Sequence, residues 1–126
     1  MAWLVDNMQW VMLVTGALTS TMIFAAIAPQ AALKSMFGET LEGPLAEIVV
    51  RNWGALIAIS GGMLIYGAYE LDVRPFALVV VGASKVIFSA LVLSQGGRYM
   101  TRQAGIAVIF DLVTVGLFAA YLAATP

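Results

Sequence analysis

The sequence contains no cysteine and no histidine. The first absence excludes disulfides, CxxC redox pairs, thiolate nucleophiles and covalently attached c-type haem. The second removes imidazole metal ligands, histidine proton shuttles and Ser-His triads. Charge is nearly as scarce, with six basic and seven acidic residues in 126 and a net charge of −1. No basic field exists to attract nucleic acid. There is no P-loop, no GxGxxG behind a strand and no nucleophile elbow. Glu39, Glu42 and Glu47 form a carboxylate cluster. Without histidine it is not a di-iron motif and reads as an acidic loop. The seven methionines are scattered, which argues against axial haem ligation. No metal, cofactor or catalytic residue is expected.

What is there is apolar. Hydrophobic residues make up 62% of the chain and mean hydropathy is +0.97, against roughly 45–50% apolar residues in soluble domains. This excess defines an integral membrane protein of one domain. A helix needs about 20 apolar residues to cross about 30 Å of hydrocarbon. Four stretches qualify, at 8–28, 47–69, 75–95 and 103–123. The second and third connections are short, so consecutive helices should run antiparallel. The fold class expected is an all-α, up-down four-helix membrane bundle, with no discontinuous helix. The first connection is longer. Leu33, Met36 and Phe37 fall at helical spacing before Gly38, which predicts a short helix over 30–37 lying at the interface, with a lid over a pocket as the alternative. Ala26-Ile27-Ala28 looks like a leader cleavage site, but residues 1–7 carry Asp6 and no basic residue. The first span is therefore expected to remain as an anchor.

Basic residues set orientation. Lys34, Arg98 and Arg102, with Arg51 just inside the second helix, face one side, and Arg74 faces the other. Both termini are expected outside, with loops 29–46 and 96–102 cytoplasmic, as in an inner membrane if the source is bacterial. Trp3, Trp10, Trp53, Tyr66, Tyr69, Tyr99 and Tyr121 lie near span ends and read as an anchoring belt.

Two charges break this pattern. Lys85 follows Arg74 by about 16 Å of helix and Asp111 follows Arg102 by about 14 Å, so both fall near the midplane. Insertion scales penalise each by about 2.5–3.5 kcal/mol. The Leu, Ile, Val and Phe residues of 76–94 return roughly 3–7 kcal/mol, so the helix inserts with little margin and an unpaired charge would remain costly. Pairing of Lys85 with Asp111 is the economical inference. Ser89 shares a face with Lys85, and Thr114 with Asp111. Thr15, Thr19 and Ser20 on the first helix and Ser60 on the second bring hydroxyls to similar depth. The constellation reads either as structural interhelical bonding or as a pocket for a ligand's polar head.

Glu47 and Arg51, with Asn52 beside them, form an i,i+4 arrangement at the start of the second helix, in the favourable order. It reads as a solvated helix end or as a contact for lipid phosphate. Gly54, Ala58 and Gly62 repeat every four residues, as do Ala17, Thr21 and Ala25, and Gly116, Ala120 and Ala124. Such stripes let helix backbones approach closely.

The stretch VRNWGALIAISGGMLIYGA (50–68), in which a basic residue and an aromatic enter a Gly-rich second helix, follows an extended first connection. Together with the four spans, it resembles the DoxX-like small four-helix membrane proteins over most of the chain. The resemblance implies a four-helix fold and a role such as accessory subunit of a membrane oxidoreductase, including quinone-linked ones. It carries over no catalytic residue and does not imply the Lys85–Asp111 pair.

Three functions compete. Small size, little extramembrane mass and the small-residue stripes favour an accessory subunit that packs in a larger membrane complex, with membrane lipid and a membrane-protein partner or homo-oligomer around it. Second comes a binder of a hydrophobic small molecule such as a quinone or lipid, its head near Lys85 and Asp111. Third is a proton- or ion-coupled transporter acting through that pair. An autonomous enzyme ranks last.

Overall fold

The computed structural model describes residues 2–125. They form six helices, α1 (Ala2–Ser20), α2 (Ile23–Ile27), α3 (Pro29–Phe37), α4 (Pro44–Tyr69), α5 (Arg74–Leu93) and α6 (Gln103–Ala124). No strand occurs among the described residues. Four segments are long and apolar enough to cross a membrane: Ala2–Ile27, Pro44–Tyr69, Arg74–Leu93 and Gln103–Ala124. Proline stands in the first turn of α3, α4 and α5, where its missing N–H costs nothing and its fixed φ suits the helix. Gly38 ends α3 in the left-handed region at φ 76° and donates its N–H to Lys34 O, a conformation that side chains with a Cβ resist.

The first segment is not one continuous helix. At Thr21 and Met22 the backbone N–H groups turn to Leu18 O and Thr19 O, three residues back, instead of the four of an α-helix. Local hydroxyls explain the break. Ser20 Oγ donates to Gly16 O at 2.7 Å and Thr21 Oγ1 to Leu18 O at 2.5 Å, so side chains compete for carbonyls that the helix would use. The expectation of no discontinuous helix fails here, and with it one argument against a transport path.

Around the bundle α1 packs on α4, α4 on α5, α5 on α6, and α6 closes weakly on α1; α2 lies on α4, and α3 touches α4 and α6. Two apolar cores sit at opposite ends. One gathers Leu4, Met8, Met12, Leu64, Ala68, Leu78, Val81, Phe118 and Tyr121. The other gathers Val92, Ala104 and Val108 under Phe37, Phe88, Tyr99 and Met100. Outward faces carry exposed Leu, Ile, Val and Phe along every long helix, a surface suited to hydrocarbon rather than water.

The close-packing stripe differs from the expected one. Gly54 is buried against α2, and a Cβ there would lie 2.7 Å from Ala25 Cβ. Gly62 is exposed, with open space around it, and Ala58 is half-buried. Gly61 makes the second close approach, beside Gly16 and Ser20 of α1. A four-residue spacing rotates about 40° around the helix at each step, whereas a seven-residue spacing drifts only about 20°. Gly54, Gly61 and Ala68 therefore stay on the buried face and Gly62 leaves it. Ala17, Thr21, Gly116 and Ala124 likewise point outward, while Ala25 is buried.

Candidate functional site

Between the two cores, at mid-length of α5 and α6, lies a cavity of about 760 Å³. Its polar wall is Lys85, Asp111, Thr19 and Ser60; its aromatic wall is Phe24, Trp53, Phe88 and Phe110. The cavity extends to Gln103 and Ser35 at one end of the bundle. From Gln103 to Asp111 the α6 rise spans about 12 Å.

Lys85 Nζ lies 2.8 Å from Asp111 Oδ1 and 3.1 Å from Thr19 Oγ1. The contact thus joins α5, α6 and the last turn of α1. Lys85 is 6% and Asp111 8% exposed, which removes most of the solvent screening that weakens surface pairs. Lys85 Nζ also stands 5.0 Å from the Phe110 ring centroid, within cation–π range. The break at Thr21–Met22 begins two residues after Thr19, at the cavity wall.

The other expected site residues are divided. Ser60 lines the cavity, but its Oγ donates to Ile57 O at 2.6 Å. Thr114 is buried and donates to Phe110 O at 2.8 Å, the back-bonding typical of a helical threonine. It makes no hydrogen bond to the ion pair. Ser89 is 1% exposed, lies outside the cavity wall, and its Oγ has no hydrogen-bond partner among the described residues. Glu47, Arg51 and Asn52 are exposed on α4, and Glu47 and Arg51 form no ion pair. The reason is energetic: an exposed i,i+4 pair gains only about 0.3–0.5 kcal/mol and must order two long side chains.

Among the described residues a second ion pair, Arg98–Glu39 at 2.9 Å, both exposed, ties the third connection to the first. The hydrogen bond from Arg98 and the Glu39 charge push the guanidinium further above its ordinary pKa. A raised pKa gives stability below the ordinary value and loses it only at more alkaline pH, so Arg98 stays charged throughout the working range.

Sequence reasoning missed three features. Arg74 appeared as a loop charge, yet it is buried at the start of α5. Its Nε donates to Gly67 O at 3.0 Å, Nη2 to Ala68 O at 2.7 Å and Nη1 to Tyr121 Oη at 3.3 Å. Arg74 thereby satisfies two carbonyls at the end of α4, where the helix dipole favours a cation. Tyr121 is buried against it and is no interfacial anchor. Trp53 leaves the expected belt too. Its ring lies at 6.5 Å and 23° to Phe88 and at 6.3 Å to Phe37, inside the bundle. Trp3, Trp10, Tyr66 and Tyr69 are exposed.

The fold and site define a bundle of long apolar helices around a buried ion pair and an aromatic-walled cavity. The chain matches no family model, no curated protein and no solved structure.

Proposed function

We propose that this protein binds a hydrophobic small molecule, its polar head at Lys85 and Asp111 and its apolar body along Phe24, Trp53, Phe88 and Phe110. The observation that carries this reading is the 760 Å³ cavity with an ion pair in its wall. Small-molecule sites are concave, mostly apolar and furnished with a few convergent polar groups. A pair that served stability alone would need no adjoining space, because close packing is the rule in protein interiors.

In the proposed arrangement the four long helices run up and down, antiparallel, with both termini outside, loops 29–46 and 96–102 cytoplasmic, and α3 at the interface. The short connections and the excess of Lys34, Arg98 and Arg102 on one side support it. A cysteine placed after Ala2 should react with impermeant reagent in intact cells; labelling only after permeabilisation overturns this orientation.

The accessory-subunit reading stands second. Gly62 and Gly116 are exposed with open space at each Cβ position, places where a partner helix could approach closely. The resemblance to DoxX-like proteins points the same way. Native mass spectrometry of the protein released from its own membranes separates the two. A monomer or dimer with a reproducible small adduct, lost in Lys85→Met, supports the binder. Larger assemblies with other polypeptides and no adduct support the subunit.

A further inference from the structure

Resting on the binding reading, the inventory of hydrogen-bonding groups at the ion pair narrows the ligand class. An ammonium carries three N–H donors. Lys85 gives one to Asp111 Oδ1 and one to Thr19 Oγ1, and the third has no acceptor among the described residues. Thr19 Oγ1 accepts from Lys85, while its own O–H has no acceptor there. Asp111 Oδ1 is engaged, and Oδ2 receives no hydrogen bond from any described residue. The cavity wall thus offers two donors and one strong acceptor within a single patch.

The patch is also neutral overall, since the lysine and the aspartate offset one another at 2.8 Å. A carboxylate, phosphate or ammonium head would add an uncompensated charge to a largely apolar cavity, beside a like charge as well as an opposite one. An ether or a bare carbonyl would accept from Lys85 or Thr19 but leave Asp111 Oδ2 without a donor. A buried acceptor left unmatched carries its full desolvation penalty. The smallest neutral group that meets both demands is a hydroxyl, which donates once and accepts twice.

We propose that the site recognises a hydrophobic alcohol, whose hydroxyl donates to Asp111 Oδ2 and accepts from Lys85 Nζ or Thr19 Oγ1. The tail lies along the aromatic wall. Leu18, Phe24 and Ile106 line the cavity and are 51%, 50% and 69% exposed on the outer face, so an apolar molecule has an entry lined by apolar side chains. The class covers long-chain alcohols, sterol-like compounds and the reduced, hydroxyl-bearing form of a quinone.

The test uses the full chain in lipid nanodiscs with Trp3→Phe and Trp10→Phe, which leaves Trp53 as the sole tryptophan. Three brominated probes of equal chain length are compared by quenching of Trp53: a primary alcohol, its methyl ether and the corresponding carboxylate. Affinities are expressed per mole fraction in the bilayer. The alcohol should bind about tenfold or more tightly than either analogue, the ratio expected for one well-made hydrogen bond. In Thr19→Val the alcohol and the ether should weaken together and keep their ratio, because both accept from that hydroxyl while only the alcohol donates to Asp111. Saturable quenching with equal affinities, or with the ether or carboxylate tightest, overturns the hydroxyl assignment and leaves the cavity as a binding site. No saturable quenching by any probe overturns the binding reading itself.

Discussion

Lys85 Nζ and Asp111 Oδ1 lie 2.8 Å apart, both nearly shut off from solvent, on helices separated by one short connection. Each charge is tolerable there because of the other. Removing one partner should therefore cost more than removing both. Lys85→Met or Asp111→Leu alone should destabilise the bundle by about 3–5 kcal/mol, while the double variant should recover most of that loss. Unfolding in mixed micelles, followed by far-UV circular dichroism, measures all three. Additive losses would show that the pair contributes no mutual stabilisation.

Occupancy of the cavity should be separable from the ion pair. Ala107 is half-buried in the α6 wall of the cavity. Ala107→Trp should fill part of the space and abolish any co-purifying adduct, with the melting temperature kept or raised because an empty volume is occupied. Retention of the adduct at full stoichiometry would place it elsewhere.

Gly61 and Gly62 are chain neighbours with opposite environments. Gly61→Val should force α1 away from α4 and cost about 1–3 kcal/mol, the usual range for overpacking. Gly62→Val should change stability by less than about 0.5 kcal/mol. Equal effects in thermal unfolding would contradict the assignment of Gly61 to the α1–α4 contact.

Arg74 should behave as part of the fold and not as a surface charge. Arg74→Met leaves the Gly67 and Ala68 carbonyls without a charged donor and should cost about 1.5–3 kcal/mol per hydrogen bond at most. Arg74→Lys should recover little, because a single ammonium does not reproduce the guanidinium fork. Tyr121→Phe, which removes one long hydrogen bond at 3.3 Å, should cost about 1 kcal/mol or less. Thermal melts in one detergent rank the three, and full rescue by lysine would sink the argument from geometry.

The four helices long and apolar enough to cross a membrane, and the matched heights of Lys85 and Asp111 that let them meet, were legible in the sequence. Hydropathy is a sum over local composition, and helix rise converts residue count to depth without any knowledge of packing. That is why matched depths for Lys85 and Asp111 could be read before any helix was placed. Rotation about a helix axis is harder. Choosing Gly61 over Gly62 requires knowing which face meets α1, and two adjacent small residues give no sign of it. The same limit applies to Arg74 and Tyr121, which stand near span ends where lipid anchoring is the ordinary role of such residues.

Composition, hydropathy and the spacing of prolines and glycines by themselves determined an all-helical chain with four membrane-length apolar segments and a polar mid-section. These properties follow from backbone hydrogen bonding and transfer energy, both local. Tertiary structure alone decided that the first segment breaks at Thr21–Met22, that Thr19 joins the Lys85–Asp111 pair, that Ser89 and Thr114 stay outside it, and that a cavity adjoins it. The cavity is a relation among all six helices and belongs to no single stretch of chain. It forms where the ion pair and the break after Ser20 stand in place of close-packed apolar side chains, and it extends to Ser35 and Gln103 at one end of the bundle.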